Sequence, residues 1–445
     1  MNTSAPITLP FIVFSVLLII FLPRRLAIFP LLLAVCYFTL VQGFVIAELH
    51  FPVYRILIFA GFFRLIIRNE LSGIDLNTID KAVIWWMVIA VITGTLLEKW
   101  DGFINRSGGV YSVLGSYFLF RFLIRDRDDL LAVYKIMAII IVPLTILVIL
   151  EKATGRNLFS ILGGVPEVTQ IREGRLRCQG PFAHPILMGT FAATSIPLFF
   201  SLRFFKGGKW FSIVGIICAT FITFASASSG PATAYIYSII ALMAWPFRYN
   251  MRTIRWLILI AIVSLHMIMK APVWFLLTKL GELIGGGGWH RAELIDQAIH
   301  HFNEWWLIGT TYTAHWMPYA LAENPNSVDI TSQYIYEGVN GGIIRLGAFI
   351  IVLILCFRAL GKTNLKLKDQ PLNMQVFSWS LGAALFAHIL SFLSVMYFDQ
   401  IIVFLYLLLS IISTFTTSIE PCPDNQVKSG LGNVTFPLKT DPFSI

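Results

Sequence analysis

Charge is what this chain has least of. Asp, Glu, Lys and Arg together make up 13% of its 445 residues, against 57% hydrophobic and 14% aromatic, where soluble domains carry roughly 25% charge. That leaves too little polar surface to clothe a water-soluble globule, and a mean hydropathy of +0.77 points to a polytopic membrane protein. Cysteine is scarce as well. The five at positions 36, 178, 218, 356 and 422 form no spacing motif, so neither a disulfide framework nor a cysteine metal site is expected. Also missing is a basic region ahead of the first apolar run. Pro23, Arg24 and Arg25 stand where a small-residue cleavage site belongs, so that run reads as a retained span rather than a signal peptide. The alternation of a membrane barrel strand is absent too, which leaves helix as the spanning structure.

What is present is a series of apolar runs long enough, at about 1.5 Å per residue, to cross a hydrocarbon core of roughly 30 Å. The predicted spans are 7–22, 27–47, 52–68, 82–98, 110–125, 132–150, 185–203, 210–226, 231–247, 254–271, 342–359, 375–396 and 400–417. The fold class is therefore an all-α polytopic membrane protein of about 12–13 transmembrane helices. Residues 1–417 read as a single transmembrane domain, followed by a flexible cytoplasmic tail over 418–445. Lys and Arg gather in alternate connections, among them Arg24 with Arg25, Arg125 with Arg127, and Lys362 with Lys366 and Lys368. These are placed in the cytoplasm. The connections 48–51, 99–109, 151–184, 227–230, 272–341 and 397–399 then lie on the outer face. The net charge of +9 follows from this topology and from attraction to anionic lipids. No nucleic-acid signature accompanies it.

Three outer connections carry chemistry. The loop 151–184 holds Arg172, Arg175 and Arg177, then His184 before Pro185. Arginine is a permanently charged planar fork matched to phosphate oxygens, and three so close together repel one another unless an anion bridges them. A membrane-bound diphosphate, ordinary anionic headgroups or plain solvation all satisfy that pattern. His184 suits a helix cap, since Pro belongs in the first turn. The turn at 226–231, with Ser226, Ser228, Ser229, Gly230 and Pro231, is either a hydroxyl and N–H cradle for an oxygen-rich ligand or a close-packed helix connection. The long loop 272–341 contains a glycine run at 285–288, then Trp289, His290 and Arg291, and later His300, His301, His315, Tyr334 and Glu337. Long ordered loops between spans are usually functional, and 290–308 reads as an amphipathic surface helix. Its four histidines lack the i,i+4 spacing of a helical metal pair, and no metal is expected. Arg55, Arg345 and His388 fall in or beside spans. Arg55 either snorkels or faces a cavity, and His388 is either a satisfied bundle residue or a proton relay.

The element Arg177-Cys-Gln-Gly180-Pro-Phe182-Ala-His184-Pro185 leads into a span. A Ser-rich turn follows two spans later, and then a long outer loop with Gly-Trp-His-Arg and a closing aromatic and Gly-Gly segment. Over about residues 110–400 this order resembles the bacterial O-antigen ligase and O-antigen or exopolysaccharide polymerase superfamily. The resemblance implies a GT-C-like glycosyltransferase of the bacterial inner membrane with a large helical periplasmic loop. It would polymerise undecaprenyl-diphosphate-linked oligosaccharide repeat units at the periplasmic face, without metal or other cofactor. Its partners would be that donor, a glycan acceptor, membrane lipids and other polysaccharide assembly proteins. Arg177 and Arg291 match the family's diphosphate-holding arginines. At the place where ligases carry a His-Asn pair this chain has Thr331 and Ser332, which favours polymerase over ligase.

The candidate catalytic residues are thus Arg177 and Arg291, with Glu337, His290 and His315 as alternative bases. Those for substrate binding are Arg172, Arg175, His184, Ser228, Ser229, Gly230, Trp289, Tyr334 and Arg345. The competing readings are a ligase transferring glycan to an acceptor, and a secondary transporter or flippase. Against the latter stand the absence of a clear repeat and the scarcity of mid-span ionisable groups.

Overall fold

The computed structural model describes residues 5–46, 49–284, 288–318, 321 and 324–419. The glycines 285–287, Glu323 and the predicted tail beyond 419 lie outside these described residues. The chain is helical almost throughout. The chain begins with α1 (Thr8–Phe21), α2 (Phe29–Tyr37), α3 (Val53–Ile67), α4 (Thr78–Leu123), α5 (Arg127–Thr154), α6 (Pro185–Leu202), α7 (Lys209–Ala225), α8 (Ser229–Met243) and α9 (Met251–Ile268). Then come α10 (Leu276–Ile284), α11 (Trp289–His300), α12 (Phe302–Trp305), α13 (Gln333–Val339), α14 (Gly342–Lys366), α15 (Leu372–Ser391) and α16 (Ile401–Ser418). The only sheet among the described residues is two small antiparallel hairpins, β1 (Gly43–Ile46) with β2 (Leu49–Pro52) and β3 (Ile171–Arg172) with β4 (Arg175–Leu176). Seven described helices, α4, α5, α6, α9, α14, α15 and α16, are long and apolar enough to cross a membrane. That fits a multi-pass membrane protein.

Three of the predicted spans take a different form. The run 27–47 is helical only over α2, nine residues, before the chain turns into β1. Hydropathy alone does not separate a short buried helix followed by an extended segment from a span. The runs 82–98 and 110–125 belong to one 46-residue α4, interrupted at Lys99 by a left-handed backbone (φ 57°, ψ −131°). The intervening connection 99–109 is therefore helix rather than loop. Asn77 and Asp80 start α4 with a reciprocal capping box, and the same buried Asp80 takes hydrogen bonds from the Tyr117 hydroxyl (2.6 Å) and the Ser413 hydroxyl (2.8 Å). This polar knot joins α4 to α16, where lost partners have little water to replace them.

The bundle is organised around α6, which is buried almost end to end and packs on α7, α8 and α15. Its small residues make that approach possible. A Cβ on Gly189 would lie 2.7 Å from Pro231, inside contact distance. By contrast α9 has no buried residue. The segment 272–341 has a second, smaller core in which Leu294, Ala298, Trp305, Trp316 and Val328 pack together. It contains the predicted surface helix, realised as α11 followed by the short α12.

Candidate functional site: a basic cleft at the start of α8

The loop 151–184 is built around one buried carboxylate. Glu151, 1% exposed near the end of α5, accepts hydrogen bonds from the backbone N–H of Gln179 (3.1 Å), that of Gly180 (2.9 Å) and the Thr169 hydroxyl (3.2 Å). Lys152 Nζ donates to the Leu176 carbonyl (2.7 Å), and Cys178 N–H to the Ala225 carbonyl at the end of α7 (3.1 Å). These bonds strap 176–180 against the bundle. Because hydrogen bonds to a charged acceptor are worth about 1.5–3 kcal/mol each, Glu151→Gln should destabilise the loop by about 2–4 kcal/mol. The check is faster proteolysis of 168–180 together with a lower melting temperature in detergent.

Strapped in this way, the chain makes a tight hairpin. Glu173 (φ 53°) and Gly174 (φ 73°) both have left-handed backbone, as a two-residue type I′ turn requires. The register sets Arg172 directly opposite Arg175. Like charges opposed across a ladder are destabilising, so the hairpin holds two cations where they repel.

Arg177 follows on the same strap and is 4% exposed. It donates to Gln170 Oε1 (3.0 Å) and to the Ser228 hydroxyl (2.9 Å), while its Nε has no hydrogen-bond partner among the described residues. The break between α7 and α8 supplies the other wall. Ala227 takes a left-handed turn (φ 43°) and α8 opens at Ser229. No side chain caps its first N–H groups; Ser228 Oγ donates to the Ser226 carbonyl and accepts from Arg177. Arg291, in the first turn of α11, comes from far along the sequence and donates to the Ser229 hydroxyl (3.1 Å). A Cβ on Gly230 would lie 3.0 Å from Val395 and 3.7 Å from Arg291 Nη2. Glycine there lets α8, α11 and the segment after α15 converge.

The result is an open cleft of about 240 Å³ lined by Arg172, Arg175, Arg177, Arg291, Ser228 and Ser229, with Glu173 its one carboxylate. Neither Arg177 nor Arg291 has an ion-pair partner among the described residues. Burial first, and then neighbouring Arg172, lower the pKa of both guanidiniums. Arginine does not deprotonate in proteins, so the same forces favour a bound anion. His184 senses the same field. It is the N-cap of α6, its Nδ1 accepting the Ile186 N–H (3.2 Å). Burial, then Arg177 and Arg172, push its pKa down to about 4, so it is neutral at physiological pH.

The other candidates lie elsewhere. Glu337 is buried, paired with Arg345 (2.7 Å) and hydrogen-bonded by Trp86 Nε1 (3.2 Å) and Gln333 Nε2 (2.8 Å). Both charges of that pair are thereby engaged. Tyr334 donates to the Ile389 carbonyl (3.0 Å). Trp289 is exposed at the start of α11, and His290 bonds the Asp329 carbonyl (3.1 Å). His315 meets Glu304 (3.0 Å). Ser332 donates to the Phe392 carbonyl (3.0 Å). None of these lines the cleft.

One residue that contacts the arginine loop was not singled out from the sequence. Asp399, in the short connection between α15 and α16, accepts the Ala183 N–H (2.6 Å), one residue before His184. It forms no ion pair among the described residues. Burial raises its pKa to about 7, against the pull of the Ala183 and Gln400 N–H groups. Gln400 Nε2 donates to the Pro181 carbonyl (2.8 Å), which locks this connection to the arginine loop. The available signal was a single acidic residue in the short connection 397–399.

Fold and site together define a helical, membrane-type protein with a cationic cleft assembled from three separate connections. No protein-family model matches the chain, and no curated protein matches it.

Proposed function

We propose that the protein is a membrane glycosyltransferase that polymerises polyprenyl-diphosphate-linked oligosaccharide repeat units at the outer face of a bacterial inner membrane. The observation that carries this reading is the convergence of Arg172, Arg175, Arg177 and Arg291 on the start of α8 with one carboxylate among them. Four fixed cations suit a dianionic leaving group far better than a single carboxylate or a neutral sugar. The cleft volume, about 240 Å³, lies below the roughly 300–1,000 Å³ of pockets that enclose a drug-sized ligand. It suits a headgroup whose sugars and tail extend outside.

The chemistry follows from these groups. An acceptor hydroxyl attacks the anomeric carbon, a new C–O bond forms, and the bond to the diphosphate breaks with its electron pair passing to the leaving oxygen. Arg177 and Arg291, held by Ser228 and Ser229, offset the charge that builds there. The hydroxyl proton needs an acceptor, and Asp399, which holds the Ala183 N–H on the loop that carries Arg177 and forms no ion pair among the described residues, is the carboxylate we assign to that task. The resemblance set out above supports the same class of donor. Deleting the gene in its host tests the reading. Single repeat units should accumulate on the lipid carrier. Full-length polymer left on the carrier would mean a ligase instead, and an unchanged glycan profile would overturn the proposal.

A further inference from the structure

We propose that His301, Glu304 and His315 form a binding site for a divalent transition metal of the zinc class, separate from the basic cleft and independent of the function assigned to it. His301 closes α11, Glu304 lies on α12, and His315 lies in the turn Ala314–Trp316. One ligand atom from each falls within 4.8 Å of the others. Tetrahedral coordination at about 2.0–2.2 Å sets ligand atoms about 3.3–3.6 Å apart. Closing the cluster therefore takes small side-chain rotations, open to an exposed carboxylate and an imidazole at 37% and 36% exposure.

The surroundings already hold His301 in metal-binding form, whereas His315 Nε2 donates to Glu304 and would give up that proton on binding the ion. His301 Nδ1 lies 2.9 Å from the Gln297 carbonyl. A carbonyl only accepts, so Nδ1 carries the proton and Nε2 presents its lone pair, the outer-shell arrangement typical of metal-bound histidine. Trp316 Nε1 donates to Glu304 Oε2 (3.1 Å), which orients the carboxylate and leaves Oε1 toward His315 (3.0 Å). His315 stacks on Tyr312 with ring centroids 5.1 Å apart, and His301 stacks on Trp316 at 5.7 Å. Two imidazoles and a carboxylate select a zinc-like ion over calcium or magnesium, which favour oxygen ligands. Water completes the fourth position on the solvent side. The bound ion would clip the end of α11, the helix that carries Arg291, to the 314–316 turn.

Zinc titration of the full-length protein in detergent, after removal of metal by a chelator, tests this. Wild type should bind one zinc per chain, and chelation should lower its melting temperature. His301→Gln and His315→Gln should each weaken binding about tenfold or more. Glu304→Gln, which can still accept the Trp316 bond, should weaken it as well while leaving the fold intact by circular dichroism. His300→Gln, adjacent but outside the cluster, should change nothing. Zinc bound no more tightly by wild type than by the double His301→Gln/His315→Gln protein would overturn the proposal, as would equal weakening by His300→Gln.

Discussion

Arg177→Ala and Arg291→Ala should each reduce polymer formation by about a hundredfold or more, with the protein still inserted and folded. The reason lies in what each guanidinium does when no substrate is bound. Arg177 bonds Gln170 and Ser228, and Arg291 bonds Ser229. These are neutral partners, and neither arginine forms an ion pair with a carboxylate among the described residues, although the charge of Asp329 reaches Arg291. Removing the cation therefore relieves repulsion with Arg172 instead of stranding a buried anion, and stability should hold or rise slightly. Arg177→Lys should recover little activity. A lysine ammonium is a point charge and cannot reach Gln170 and Ser228 at once while still facing a phosphate. Assay of lipid-linked glycan length, with a thermal melt of each variant, checks both parts. Normal chain lengths from either alanine variant would remove the diphosphate reading of the cleft.

The second large effect is expected at Asp399. If it accepts the hydroxyl proton, it must be ionised to do so, and its pKa stands at about 7. Below that value it is protonated, so the wild-type rate should fall about tenfold for each pH unit on the acid side. Above it the rate should level off. Asp399→Asn keeps the side-chain size and an oxygen for the Ala183 N–H, but cannot take a proton. It should lose about 10²–10⁴-fold in rate and with it the pH-dependent limb, at an unchanged melting temperature. A purely positioning role would leave that limb in place, so the profile separates the two.

How much of this was legible beforehand depended on whether a feature is local. Apolar run length marked the helices, and the order His184 then Pro185 marked the start of α6, because both are written within a few residues. The hairpin carrying Arg172 and Arg175 was partly visible as a charge cluster, yet its opposed register comes from the backbone at Glu173 and Gly174. The run 27–47 misled because hydropathy is blind to a helix that stops after nine residues. Glu337 was attractive as a base only until Arg345 and Trp86 were seen to engage it. The histidines of the segment 272–341 showed no metal spacing, since His301 and Glu304 meet His315 across an intervening loop that sequence distance does not describe.

Composition and hydrophobic run length by themselves determined that this is a helical protein of membrane type, since too little polar surface and continuous apolar runs admit no other arrangement in lipid. They also marked the arginine-rich loop and the Ser-rich turn as unusual. Only the tertiary structure decided that Arg177 and Arg291, more than a hundred residues apart in sequence, reach two adjacent serines at the start of α8. It alone tied Asp399, through the Ala183 N–H, to the loop that carries Arg177. The physical reason is that a charge site is a sum over distances in space. Close packing on α6, which Gly189 permits, brings those distances down to contact.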